Sequence, residues 1–210
     1  KQHGEGHPES LHTLSALSLV LWETGRLEEA EGLRRKELSI SEEKLGPLHP
    51  STLISINNVA ILVEEQGKLE EAEQLYRRAL AGSRQALGNA HPDTVSSAGN
   101  LATFLENRGK LEEVETLYRL VTATADDKPE EAVHPDTWYF MALYADFLRT
   151  VGRLDEAVNV CKRALGAQQR TLGNDHPHTK LTVAVAIPLM QEATGTLSRK
   201  LQRVTRIVPP

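Results

Sequence analysis

The dipeptide His-Pro recurs at residues 7, 49, 91, 134 and 176 of this 210-residue chain, at spacings of 42, 42, 43 and 42. Glycine follows each of the first four at one offset, as Gly25, Gly67, Gly109 and Gly152. Two residues later comes leucine (Leu27, Leu69, Leu111, Leu154), opening the runs LEEAE, LEEAE, LEEVE and LDEAV. A fixed period of this size is the mark of a repeat architecture. Each repeat exposes an apolar face that it cannot bury alone, and stacking on its neighbours completes the core.

The stretch from His49 to Leu80 shows what one repeat is. Pro50 suits a first helical position, where its missing N–H would be unpaired in any case. Leu53, Ile56, Val59, Ala60 and Val63 then recur at helical spacing. Gly67 stops this helix, because glycine takes the left-handed conformation without steric cost. A second helix follows at once, with Leu69, Ala72, Leu75, Tyr76, Ala79 and Leu80 on one face. Glu70, Glu71 and Glu73 lie near its positive end and Arg77 and Arg78 toward its negative end, which complements the helix dipole. Glu73 and Arg77 form an i, i+4 pair. The unit is a helical hairpin, of about fourteen and about eighteen residues by this pattern.

Repeats fall at about 7–48, 49–90, 91–133, 134–175 and a degenerate 176–208, read as one array spanning residues 1–210. Residues 1–6 are a polar lead-in. The first repeat carries Arg34 and Glu37 where the second has Tyr76 and Ala79, substitutions expected of a partly exposed terminal unit. Nothing before it would cover its outer face, so further repeats or a contact are expected there. The loop before His134 contains Asp126, Asp127, Lys128 and Pro129 and one extra residue, and is expected to be longer and more mobile. Pro188 is expected to interrupt the first helix of the last repeat. The stretch from Leu197 to Val208 reads as a capping helix. The chain begins with Lys and reads as part of a longer protein.

Composition narrows the function classes. A net charge of −5 argues against nucleic acid as a partner. The longest apolar run, Thr182 to Met190, is too short to span a bilayer, and the lone Cys161 allows no disulfide within the chain. Together with the missing signal peptide, this gives a cytoplasmic expectation. No catalytic motif, cofactor site or metal site is expected. The repeated histidines fall in successive layers roughly 10 Å apart, whereas zinc needs ligands about 2 Å from one point.

The arrangement of Val59, Ala60, Gly67, Leu69, Ala72, Tyr76, Ala79 and Leu80 resembles the tetratricopeptide repeat. The 42-residue period, with H-P-[DES]-[ST] and the phrase NNVA, is similar to the kinesin light chain variety. This resemblance implies an all-α, right-handed superhelical solenoid of stacked helix-turn-helix repeats. It further implies a non-enzymatic scaffold that binds an extended or helical peptide segment of a partner on its concave face. The alternative is a regulatory or self-associating arm of a larger multidomain switch ATPase.

Carried over residue by residue, the groove would be lined by Asn57, Asn58, Ile61 and Glu65 from the second repeat. The third contributes Asn100, Thr103 and Asn107, and the fourth Tyr139, Leu143 and Asp146. Asn58 and Asn100 match asparagines that in the family hydrogen-bond a peptide backbone, as an amide with both donor and acceptor can. Glu23, Glu64, Glu65, Glu106 and Asp146 outweigh Arg149 in this lining. The expected partner is therefore a protein or peptide with basic and small apolar residues, with no nucleic acid and no membrane. Self-association through the uncapped first repeat is a further expectation.

Overall fold

The computed structural model describes the backbone of residues 8–126 and 128–207 and the side chains of residues 13–126 and 128–196. Among these residues there are nine α-helices and no strand. Backbone contacts divide the chain into two compact units, the first ending at Phe104 and the second beginning at Leu105.

In the first unit, α1 (Pro8–Glu23) pairs with α2 (Leu27–Leu45) and α3 (Pro50–Glu65) with α4 (Leu69–Leu87). Helix α2 also packs on α3, and α5 (Pro92–Glu106) begins the next hairpin. The helices are slightly longer than the apolar pattern predicted. The histidines explain how the first helix of a hairpin starts. His49 holds an extended backbone, and its Nδ1 accepts the N–H of Ser51 at 3.2 Å while Pro50 fills the first helical position. The side chain thus satisfies one of the orphan donors of a helix start. His91, His134 and His176 repeat this contact at 3.2, 3.3 and 3.2 Å. His7 and the lead-in lie outside the described residues.

The turn at Gly67 explains the repeated glycine. Its φ is 75°, its N–H reaches the Glu64 carbonyl at 2.8 Å, and the Lys68 N–H reaches Val63 at 2.9 Å. This pair of bonds closes a helix end only when the residue between can adopt positive φ. The turn directs α4 back along α3. Leu53, Ile56, Val59, Ala60 and Val63 are buried against Ala72, Tyr76, Ala79 and Leu80, as the periodicity required. Tyr76 fills the space left by the alanines and packs on Phe104, ring centroids 5.4 Å apart. Outside this core, Lys68 Nζ reaches Glu31 at 2.8 Å, linking successive hairpins.

The second unit holds α6 (Leu111–Asp126), α7 (Pro135–Thr150), α8 (Leu154–Thr171) and α9 (Pro177–Ile207). Its α7 is rich in aromatics: Trp138, Phe140, Tyr144 and Phe147 are buried, and Tyr118 of α6 packs on Tyr144 and Phe147. Trp138 and Met141 share a cluster with Ala125, Val133, Ala164 and Ala167. Cys161 is fully buried in the position that Tyr76 and Tyr118 occupy in the preceding hairpins, and burial pushes its thiol up to about 11. The longer loop before His134 carries a single 3-10 turn at Glu130–Ala132, which Arg170 holds through a two-pronged pair with Glu130 at 2.8 and 2.6 Å.

Two expectations are corrected here. Pro188 does not interrupt its helix: α9 runs unbroken for 31 residues. The carbonyl that Pro188 leaves without a helical partner belongs to Ala184, an exposed residue where water can serve. Arg34 and Glu37 are not loosely exposed either. Glu37 is buried and accepts from Ser15 at 2.9 Å, Ser55 at 3.1 Å and Arg34 at 2.9 Å. The side-chain faces expected for a cap beyond Leu197 lie outside the described residues.

Candidate functional site

Within the first unit, α1, α3 and α5 lie side by side, and cross-helix bonds join them. Trp22 Nε1 donates to Glu65, and Asn57 Nδ2 donates to Ser97 Oγ at 2.7 Å. Asn58 lines two hollows between these helices. The larger, about 220 Å³, has Ile54, Asn57 and Asn58 on α3, Asp93, Ser96, Ser97 and Asn100 on α5, and Ser83 beneath. The smaller, about 40 Å³, has Trp22, Leu19, Arg34, Asn58 and Ile61 in its wall. The two asparagines singled out in the sequence therefore face one space, 42 positions apart on neighbouring helices.

The remaining candidates are placed differently. Asn57 is buried and is engaged with Ser97, and its Oδ1 has no hydrogen-bond partner. The Thr103 hydroxyl donates to the Gly99 carbonyl of its own helix at 3.1 Å. Asn107 is exposed just beyond the end of α5. In the second unit, half-buried Tyr139 stacks on His178 with centroids 5.0 Å apart, and burial raises its phenol above the ordinary value. Leu143 is half-buried, and Asp146 accepts from Arg149 Nε at 2.8 Å.

The acidic lining is less free than its count in the sequence implied. Glu64 accepts the Tyr76 hydroxyl at 2.7 Å, and Glu106 accepts the Tyr118 hydroxyl at 3.1 Å. Burial raises the Glu106 carboxyl, Asp146 adds to this by repulsion, and the Tyr118 hydroxyl opposes it. Burial and its carboxylate partner push the Tyr76 phenol far above its ordinary range.

Among the residues that sequence reasoning missed are Arg34 and Asp93. Arg34 comes from a second helix, yet it reaches the smaller hollow because it stands where Tyr76 would fill the gap between helices. Asp93 figures in the sequence only as an instance of the H-P-[DES]-[ST] pattern, yet it lies in the wall of the larger hollow. Its place one residue after His91-Pro92 at the mouth of α5 was the signal available.

Among the described residues no three of His, Cys, Asp and Glu gather as metal ligands would, and no helix is long and apolar enough to cross a membrane. Among the described residues, His49, His91, His134 and His176 each use Nδ1 to accept a backbone N–H, which gives the repeated His a structural role.

Helical hairpins of fixed length, closed by a glycine and joined through the faces of their first helices, define a helical-repeat protein. The chain belongs to the tetratricopeptide repeat family: one model of that repeat matches residues 9–85 and 57–127, and a second matches 145–178. Among solved structures it is similar to the nearly identical TPR-like repeats of a kinesin light chain-like protein of Podosopora anserina. That likeness has a TM-score of 0.71 and 24% identity, over 96% of this chain and 95% of the other. A variant form of the same repeats gives 0.73 and 22%, over 98% and 96%. BtubC from P. vanneervenii gives 0.67 and 20%, over 80% of this chain and 66% of the other. At these identities the likeness is one of fold. No curated protein matches the sequence.

Proposed function

We propose that this chain is a non-enzymatic protein-interaction module that holds a segment of a partner protein along α3 and α5. Asn58 and Asn100 hydrogen-bond the backbone of that segment, and small apolar and basic side chains fill the spaces between. The observation that carries this reading is the shared hollow: two half-buried amides of equivalent register face one polar space between neighbouring first helices. An amide can donate to and accept from a main chain whatever its side chains, so the contact favours peptide over a small ligand. Capture of partner from native lysate, repeated with an Asn58→Ala, Asn100→Ala chain, tests it. Loss of the captured protein is expected. Undiminished capture by a folded double variant would refute the assignment of the groove.

One observation favours a second reading, a self-associating or regulatory arm. Leu17 and Val20 of α1 are 49% and 54% exposed. Their counterparts 42 residues later, Val59 and Leu62, are buried at 0% and 4%. A strip that is covered in one hairpin and bare in the other can take a second molecule. Light scattering across concentration, with Leu17→Lys and Val20→Glu, separates the two. Growth in mass that the changes abolish supports association.

A further inference from the structure

The larger hollow carries more than a place for a peptide backbone. Its wall contains hydroxyls, amides, one aliphatic side chain and one carboxylate, and no cation. Asn57 spends its Nδ2 on Ser97 Oγ at 2.7 Å, and Ser97 Oγ stands 3.4 Å from Ser83 Oγ. The atom left over is an acceptor: Asn57 Oδ1, buried and without a partner in a residue 8% exposed. A buried carbonyl oxygen left unpaired costs free energy that a donor entering the hollow would restore.

An anion does not answer this vacancy, although the hollow lies at the start of α5. The first amides of that helix are already taken. Asp93 N–H goes to His91 Nδ1 at 3.2 Å, and Thr94 and Val95 N–H go to the His91 carbonyl at 3.0 Å each. The Asp93 carboxylate would also repel an anion. His91 Nδ1 lies 3.8 Å from that carboxylate and accepts the Asp93 N–H at 3.2 Å. The site needs a ligand rich in donors and positively charged.

Resting on the reading of the groove as a peptide site, we infer that this hollow is a subsite for one lysine side chain of the bound segment. The ammonium donates to Asn57 Oδ1 at depth and to the Asp93 carboxylate nearer the mouth, while the methylene stem lies along Ile54, itself 45% exposed. Lysine fits better than arginine. Its compact ammonium presents three donors to separate oxygens, whereas a guanidinium fork is matched by a carboxylate taken two-pronged. The consequence is sensitivity to modification: acetylation removes the charge and two of the donors and lengthens the head group.

The test uses the whole chain and a pool of N-acetylated, C-amidated decapeptides, one position of which carries each amino acid in turn. Binding is read by fluorescence anisotropy. Lysine is expected to be selected at one position, and its acetylation to weaken the best peptide by roughly tenfold or more, the range for a charge-assisted hydrogen bond. Asp93→Ser places at this site the residue that the second repeat carries as Ser51, a substitution the fold already accepts. It should shrink the acetylation penalty to about twofold, and Asp93→Asn should do the same. Asn58→Ala with Asn100→Ala should weaken the lysine and acetyl-lysine peptides alike. Selection of Asp or Glu, or a penalty unchanged in both Asp93 variants, overturns the lysine subsite while leaving the groove intact. No binding by any pool member overturns the groove reading, and the subsite with it.

Discussion

Arg34 and Glu37 offer the sharpest energetic test, because they put an ion pair where the other hairpins put apolar packing. The equivalents of Glu37 are Ala79, Val121 and Ala164, all fully buried. Side-chain exposures of 13% and 10% leave Arg34 and Glu37 little water, and their contact is 2.9 Å. Glu37→Leu removes an acceptor from Ser15, Ser55 and Arg34 at once. Ser55 keeps its bond to the Ser51 carbonyl at 3.0 Å, but the guanidinium is left with Ser15 alone. Breaking one side of a buried pair costs about 3 kcal/mol or somewhat more. Arg34→Met leaves Glu37 with two hydroxyl donors and should cost less, about 1–2 kcal/mol. The double change removes both charges and restores an apolar layer. It should therefore lie within about 1 kcal/mol of the parent, a coupling of roughly 3 kcal/mol between the two sites. Urea unfolding can be followed through Trp22 in a Trp138→Phe background, since the chain has two tryptophans and Trp22 belongs to the first unit. That choice avoids treating a repeat array as one cooperative transition. Simple additivity of the two single losses, or a Glu37→Leu loss below about 1 kcal/mol, would refute the argument.

Three further outcomes are expected. His49→Ala should lower stability by about 1 kcal/mol through loss of a helix cap, whereas His49→Asn should preserve it; thermal melts of both separate a cap from mere bulk. Ala102→Leu should cost about 1–3 kcal/mol by overpacking a position with no exposure, and a parent-like melt would break the repeat register drawn here. Burial would raise the Glu31 carboxyl, but bonds from Lys68, Arg35 and Gln66 outweigh it and bring it to about 2. A lowered folded value means the stabilisation is complete above the ordinary carboxylate range and is lost as pH falls toward 2. With its partners near half exposed this amounts to about 1–2 kcal/mol, and Glu31→Gln should flatten that part of a stability–pH profile.

The hairpins were legible because their cause is local and repeats. A histidine cap, a proline and a glycine stop at one offset determine where each pair of helices begins and turns, and a 3.6-residue rhythm determines which faces meet. What escaped were contacts at separations a single helix does not reveal. The pair Glu73–Arg77, at 2.9 Å, follows from i, i+4 spacing and was expected. Glu31–Lys68 and Glu115–Arg153, at 2.8 and 2.7 Å, join successive hairpins and need the stacking geometry before they can be seen. Pro188 was misjudged because a rule about helix interiors says nothing of which face carries the freed carbonyl. For the candidate site, the sequence placed Asn58 and Asn100 in register. It did not reveal that Asn57 turns into the seam between α3 and α5, nor that Asp93 enters the same hollow.

The same distinction explains why the acidic residues could not be counted as ligand-facing charge. Glu64 and Glu106 occupy one register position, and each is held by a tyrosine twelve residues on, Tyr76 or Tyr118. In the next hairpin both partners change together: the tyrosine becomes Cys161 and the glutamate becomes Arg149. A carboxylate without a phenolic donor would be half-buried and unpaired there, whereas an arginine finds Asp146 and Glu192 at 2.8 and 2.9 Å. The charge at this position is thus set by what fills the core beneath it. Charge placed to meet a partner is found instead in the wall of the larger hollow, where the lining carboxylate is Asp93.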